Sequence, residues 1–298
     1  MLWILTTLIA AAAQTARNAM QRGLTSVLGT LGATQVRFLY GFPFALVFLA
    51  IAVMVTHAAV PPPNARFVEF TIAGGVAQIL GTALLLAAMK RGSFSVATAL
   101  SKTEAVQIAL FGLLILGDHL NASRALAIGV ATAGVAITAL KPGGKWTTAS
   151  MRPALLGIAA GGGFALASVG FRGSILALGD GSYWLRATTA LVWSLGVQTL
   201  LLGAWMLCFA RGPLLASLRL WRQSLPAGFF GAFASQFWFL GFALTAAANV
   251  RTLALVEVVF AQIVGQRVMR QRASRRELAG MALIVIGVGL LLALDYSA

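Results

Sequence analysis

The sequence predicts an all-α membrane protein: ten transmembrane helices arranged as a 5+5 inverted repeat around a central cavity. Three observations lead there. Of the 298 residues, 59% are hydrophobic and only 10% charged, against about 25% charged in an ordinary soluble domain. The mean hydropathy is +0.90, and the apolar residues gather into runs of spanning length. The two halves carry the same marker residues in the same order. The alternating pattern of a membrane β-barrel is absent.

A helix crossing the hydrocarbon core needs about 20 mostly apolar residues. Ten runs meet that requirement. The first, Met1–Met20, resembles a signal peptide, but its first positive charge, Arg17, follows the apolar stretch instead of preceding it. It carries a polar stripe, Gln14, Arg17, Asn18 and Gln21, spaced by three and four onto one helix face. Thr34–Val55 contains Arg37 near its start. After the Pro-rich break HAAVPPPNAR comes Phe67–Met89, with Gly74-Gly75 and Gln78. Phe94–Leu116 holds Lys102, Glu104 and Gln107, and Arg124–Leu140 follows the N-cap residue Asn121.

The stretch KPGGKWTTASMR at 141–152 reads as the connector between halves. Ala154–Leu176 contains Gly161-Gly162-Gly163, suited to close helix approach or bending. Tyr183–Phe209 opens with aromatic residues expected at a membrane interface. The segment ARGPLLASLRLWRQS is read as a break. Leu225–Ala247 carries Gln236 and Trp238, Val250–Val268 carries Glu257, and Leu278–Leu294 follows the capping-box pattern Ser274-Arg-Arg-Glu277.

The halves, 1–140 and 153–298, align in order. At an offset of 150, Arg22-Gly23 meets Arg172-Gly173, and Leu28-Gly29 meets Leu178-Gly179. Arg37 then falls on Arg186, and Gln78 on Gln236. At an offset of 153, Glu104 meets Glu257, Asn121 meets Ser274, Ala127 meets Gly280, and Gly134-Val135 meets Gly287-Val288. Each half has an odd number of spans, so a true repeat inserts its second copy upside down. That is an architecture of secondary transporters.

An ionisable residue deep in a span costs about 2.5–3.5 kcal/mol on insertion scales, so it is a functional candidate. Lys102, Glu104 and Glu257 are the deep set. Gln107 shares a face with Glu104, whereas Lys102 points about 160° away from it around the helix. The two carboxylates suit a substrate ammonium or a proton. The competing reading is a buried structural ion pair, for instance with Arg37 or Arg186. Gln78 and Gln236 can both donate and accept, which suits a polar or zwitterionic solute, with helix packing as the competitor. Trp238 is either cavity wall or lipid face. The predicted substrate-binding set is therefore Gln14, Asn18, Gln78, Lys102, Glu104, Gln107, Gln236, Trp238 and Glu257.

The stretch AVQIALFGLLILGDHLNASRALAIGVATAGVAITAL at 105–140 resembles the end of an EamA-type half in the drug/metabolite transporter superfamily: a helix, an "lGE-l" turn, then a helix with "Gv" near its end. Residues 250–294 resemble the second copy, and Arg37 fits the family's helix-two context. Two departures stand out. Asp118 replaces the usual Glu of the turn, and Glu104 and Glu257 stand where the pattern has a helix-opening proline. The resemblance implies export of metabolites, amino acids among them, with an aromatic amino-acid exporter branch in the family.

The 22 basic residues give a net charge of +15, but they are strung out singly. That distribution suits loop anchoring at an anionic membrane and excludes a nucleic-acid stripe. Fifteen fall in odd-numbered loops and five in even ones, which predicts a periplasmic location for both termini. The family resemblance implies cytoplasmic termini instead. Cys208 is the single cysteine, His57 and His119 are the only histidines, and no metal or cofactor is expected. With no HExxH, Asp pair or Walker motif, neither catalysis nor direct ATP drive is expected. The expected partners are the lipid bilayer of a bacterial-type inner membrane, a small-molecule substrate and, as a coupling candidate, protons. A monomer is expected. The alternatives are a transporter of nucleosides, sugars or drug-like cations and, remotely, an intramembrane enzyme.

Overall fold

The computed structural model describes residues 1–91, 100–139, 148–257 and 275–296, and every regular element among them is helical. Six stretches are long and apolar enough to cross a membrane: Val27–Thr56, Ala65–Leu85, Met151–Ala177, Tyr183–Phe209, Trp221–Leu244 and Arg275–Leu294. Glu104–Leu116 and Ala122–Ile137 are shorter apolar helices. Outward-facing side chains include Leu46, Val47, Ile51 and Met54 on one helix and Leu200, Leu207 and Phe209 on another. Water would penalise such continuous apolar faces, and hydrocarbon does not.

The range Leu2–Leu39, labelled α1, is two helices that meet at the non-helical Gly29, which lies between the runs Met1–Met20 and Thr34–Val55. The chain is helical on either side and kinks there, with φ 67° and ψ 176°. Glycine adopts that left-handed φ without the Cβ clash other residues suffer. The interval is held because Leu24 and Leu28, four apart on one face, bury with Val36 against Ala227. Tyr40 then joins α1 to α2 (Gly41–Thr56), and its hydroxyl donates to the Ser217 carbonyl at 3.0 Å.

Helix α3 (Ala65–Arg91) starts at Asn64, whose Oδ1 caps the Phe67 N–H at 2.8 Å. Helix α4 (Glu104–Phe111) runs into a π-helical turn, Gly112–Leu116, closed by Gly117 in the left-handed region. Helix α5 (Ala122–Ala139) is capped as expected, with Asn121 Oδ1 accepting the Arg124 N–H at 2.8 Å. Its repeat mate Ser274 lies outside the described residues, as do Trp146 and most of the 141–152 connector.

Helices α6 (Thr148–Ala177) and α7 (Tyr183–Phe209) follow. The predicted break at 210–224 is instead mostly α8 (Arg211–Arg219). It is helical because Leu214 and Ser217 bury on its inner side. Helix α9 (Trp221–Leu244), the short α10 (Ala247–Leu253) and α11 (Arg275–Tyr296) complete the chain. Several arginines assigned to loops belong to helices: Arg17 in α1, Arg172 in α6, Arg186 in α7 and Arg251 in α10.

The helices form two compact units, one of Met1–Ile79 with Gly170–Thr245 and one of Leu80–Val169 with Ala246–Ala298. Each draws on both halves of the sequence. The predicted site residues divide accordingly. Gln14, Gln78, Gln236 and Trp238 belong to the first unit, and Lys102, Glu104, Gln107 and Glu257 to the second. Asn18 falls within α1, but its side chain lies outside the described residues.

Candidate functional site

The second unit brings its predicted ionisable residues together. Glu104 and Glu257 are 8% and 9% exposed. Arg251 Nε lies 3.2 Å from Glu104 Oε1, and Lys102 Nζ lies 3.6 Å from Glu257 Oε2. The Arg251 Nε–H donates to Ser168 Oγ at 3.1 Å, so its approach to Glu104 is a close charge contact. The Arg37 stem flanks Gly231, and Arg186 Nη1 donates to the Gly179 carbonyl at 2.5 Å. The sequence reading missed Arg251 because a lone arginine at the head of an apolar run looks like an interface residue.

The pairing is crosswise. Each carboxylate is neutralised by a cation that lies just upstream of the other carboxylate in sequence. Four charges therefore compensate within one low-dielectric cluster, as buried charges must.

Both carboxylates follow a local break in their helix. Around Lys102-Thr103 the bonds tighten to the i→i−3 pattern: Thr103 N–H to Leu100 O at 3.2 Å and Ala105 N–H to Lys102 O at 3.3 Å. Around Ala254-Leu255 the same happens: Leu255 N–H to Thr252 O at 3.1 Å and Glu257 N–H to Ala254 O at 2.9 Å. Mid-chain stretches of this 3₁₀ type mark hinges or functional sites. The first break places Glu104 in the first turn of α4, where the helix dipole favours an anion.

Helix α6 closes over the first break through its glycines. A Cβ on Gly161 would lie 2.8 Å from the Ser101 carbonyl and 3.2 Å from the Glu104 amide, and one on Gly162 would lie 2.8 Å from Gln107 Oε1. The glycine run therefore serves close approach. Gln107 donates from Nε2 to Thr103 Oγ1 at 3.0 Å and to the Ile158 carbonyl at 3.2 Å.

Two backbone approaches in this unit exchange under the 153-residue offset. A Cβ on Gly134 would meet the Gly280 carbonyl at 2.6 Å, and one on Gly287 would meet the Ala127 carbonyl at 2.7 Å. Gly134 is the repeat mate of Gly287, and Ala127 of Gly280. The α5–α11 crossing thus contacts itself through equivalent positions.

The first unit carries a polar ladder along α1, α7 and α9. Trp238 Nε1–H donates to Gln14 Oε1 at 3.1 Å, so Trp238 faces neither lipid nor open water and is 3% exposed. Gln236 Nε2 donates to Thr188 Oγ1 at 2.8 Å. Gln198, which the sequence reading did not single out, donates to Gln78 Oε1. Arg17, 7% exposed, and Arg37 converge on Gly231, with stem carbons 3.5 and 3.4 Å from the position of its missing Cβ. Two arginine stems fit there because glycine leaves the space.

Beside this ladder lies an apolar cleft of about 460 Å³, walled by Leu5, Ile9, Phe48, Trp184, Phe233 and Phe237, with Gln236 among its lining residues. Phe233 and Phe237, four apart on α9, have ring centroids 4.9 Å apart, and Phe48 meets Phe233 edge-on at 6.4 Å.

Among the described residues no group of histidine, cysteine or carboxylate side chains could hold a metal ion. No curated protein matches the chain. Among the solved structures that match, one crystal structure shares the fold with a TM-score of 0.70 and 16% identity, over 97% of this chain and 98% of the other. Residues 1–140 match the model of the EamA-like transporter family.

Proposed function

We propose that this chain is a ten-span secondary transporter whose halves, 1–140 and 153–298, insert in opposite orientations and move small zwitterionic metabolites, amino acids above all, by alternating access. The observation that carries the reading is the crosswise ion pairing of Glu104 with Arg251 and of Glu257 with Lys102, each carboxylate one helix break downstream of its turn. The exchange of the Gly134 and Gly287 contacts under the same offset supports the inverted repeat.

The chemistry follows from charge compensation. Removing one partner of a buried pair leaves an unpaired charge in low dielectric, which is strongly unfavourable. A zwitterion avoids this. Its ammonium replaces a cation at one carboxylate while its carboxylate engages the displaced cation, so the cluster stays neutral throughout. A simple cation or anion would leave one charge over. Helix breaks at both carboxylates supply places where the backbone can bend. Export across a bacterial-type inner membrane follows the EamA resemblance, and a proton remains the candidate coupling ion because carboxylates line the cluster.

Counterflow in proteoliposomes tests this directly. The panel is alanine, its methyl ester, its N-acetyl derivative, a nucleoside and a sugar, each with and without a pH gradient. Exchange confined to the free amino acid is expected. Preferential exchange of the ester, the nucleoside or the sugar would overturn the zwitterion assignment.

A further inference from the structure

The connection between α7 and α9 is a helix in its own right. Ala210 (φ −148°, ψ 50°) and Leu220 (φ −91°, ψ 29°) leave the helical region, so α8 is set off from the spans on either side. Its depth follows from the pairing of those spans. Gln236 of α9 donates to Thr188 of α7 at 2.8 Å. Thr188 stands near the start of α7 and Gln236 in the second half of α9, so the two helices run antiparallel. From Thr188 to Phe209, α7 rises about 32 Å, which matches a hydrocarbon core of about 30 Å. Tyr183 and Trp184 therefore mark one membrane interface, and α8 lies at the other.

The side chains of α8 sort as an interfacial segment requires. Leu214 and Ser217 are buried. The Ser217 carbonyl accepts the Tyr40 hydroxyl at 3.0 Å, and the Pro213 carbonyl comes within 3.2 Å of where a Cβ on Gly32 would stand. Away from that contact Leu215 and Leu218, three apart on one face, are 51% and 46% exposed. Trp205, Phe209 and Trp221 are exposed at the same end of the spans, where aromatic rings mark the headgroup level.

Arg211, Arg219 and Arg222 are exposed in the same segment. The Arg211 Nε–H donates to the Leu207 carbonyl at 2.6 Å, and the Arg222 guanidinium lies 5.3 Å from the Trp221 ring centroid. The first unit holds two acidic residues, Glu69 and Asp180, and both stand at the opposite end. Asp180 lies just before α7. Glu69 is near the start of α3, which Asn64 Nδ2 ties to the end of α6 by donating to the Ala177 carbonyl at 2.5 Å. Three cations thus stand at one interface with the carboxylates of their unit a membrane thickness away.

We propose that α8 and the start of α9 form a binding surface for anionic phospholipid headgroups. Arg211, Arg219 and Arg222 receive the phosphates, and Leu215, Leu218 and Trp221 sit at the acyl boundary. The planar fork of arginine fits a phosphate through two parallel hydrogen bonds. The surplus positive charge selects a lipid of net negative charge over a zwitterionic one, whose own ammonium offsets its phosphate. The surface follows from the spanning helices and does not depend on the zwitterion reading of transport.

Two measurements on the full chain test this. In nanodiscs, hydrogen–deuterium exchange of peptides covering 210–223 is compared between dioleoylphosphatidylcholine alone and its equal mixture with dioleoylphosphatidylglycerol. Exchange there is expected to slow about threefold or more in the mixture. In detergent micelles holding equal amounts of both lipids, native mass spectrometry counts what stays bound. Phosphatidylglycerol is expected to exceed phosphatidylcholine by about tenfold. Arg219→Gln with Arg222→Gln is expected to lower that ratio about fivefold or more. Arg66→Gln, an exposed arginine at the other end, is expected to leave it unchanged. Equal exchange at 210–223 in both nanodiscs, or a ratio that the double variant lowers no more than Arg66→Gln does, would overturn the proposal. Inorganic phosphate slowing that exchange as much as phosphatidylglycerol does would assign the arginines to free phosphate and overturn it too. The exchange comparison is made on the wild type, so it stands even if the double variant fails to fold.

Discussion

Glu104 is held by Arg251, 147 positions away in sequence, with Nε 3.2 Å from Oε1 and both side chains largely buried, at 11% and 17% exposure. Arg251 itself lies six positions before Glu257, the repeat mate of Glu104. Each carboxylate is thus tied to the chain segment that carries its counterpart. The arrangement couples the α4 break to α10 and makes the four charges a single electrostatic unit.

Removing one member of that unit is therefore costly. Arg251→Met leaves Glu104 buried without its cation and is expected to reduce stability by about 3–5 kcal/mol. Arg251→Met with Glu104→Leu, which removes both charges, is expected to recover most of the loss. Thermal unfolding in detergent reads both. An unchanged melting temperature in Arg251→Met would show that the pair contributes nothing.

The α5–α11 crossing gives a prediction with internal controls. Gly134→Ala and Gly287→Ala each drive a Cβ into backbone at 2.7 Å or less. Each is expected to destabilise by about 1–3 kcal/mol through overpacking. Gly129 and Gly289 meet no atom within 4 Å. Alanine there is expected to be neutral or stabilising by up to about 1 kcal/mol through helix propensity. Equal melting shifts at all four sites would contradict the crossing.

These contacts indicate what could be read from the chain. Glu104 and Glu257 were legible because carboxylates in apolar runs are rare and their offset matched that of Gly134 and Gly287. Arg251 was not, because ANVRTL has the local look of an interface and its partner is remote in sequence. The helical state of residues 21–28, just before the Gly29 break, was hidden for a related reason. The segment QRGLTSVL mixes polar and apolar residues as a loop would, and only the burial of Leu24 and Leu28 against α9 makes it helix. Gln198 looked like any isolated amide until Gln78 appeared opposite it, and the direction of the Gln236 amide follows solely from Thr188.

The Gln198 amide donates to Gln78 Oε1 in a buried setting. Gln198→Leu leaves Gln78 Oε1 without this donor, and a loss of about 1–3 kcal/mol is expected. Gln78→Leu with Gln198→Leu replaces both groups with apolar ones and is expected to lose less than the two single changes added together. Strict additivity in the melting data would show that the two amides do not interact.

Orientation remains a prediction from charge. Fifteen basic residues fall in the odd-numbered connections and five in the even-numbered ones, a bias toward cytoplasmic odd loops. A reporter active only in the cytoplasm, fused after Ala298, is expected to stay silent. Strong activity would invert the assignment and agree with the family resemblance instead.

The final prediction separates transport from folding. Glutamine keeps the shape and hydrogen-bonding capacity of glutamate and removes its charge. Glu104→Gln leaves Arg251 a neutral acceptor together with the Ser168 hydroxyl, and Glu257→Gln does the same for Lys102, whose side chain retains 25% exposure. Both variants are therefore expected to insert and fold. In the proposed exchange the zwitterion's ammonium must be received by a carboxylate, which an amide replaces poorly. At least one variant is expected to lose tenfold or more in alanine counterflow while its melting temperature moves by only a few degrees. Folding defects in both would assign the cluster to structure. Wild-type counterflow in both variants at every pH tested would remove these carboxylates from the mechanism.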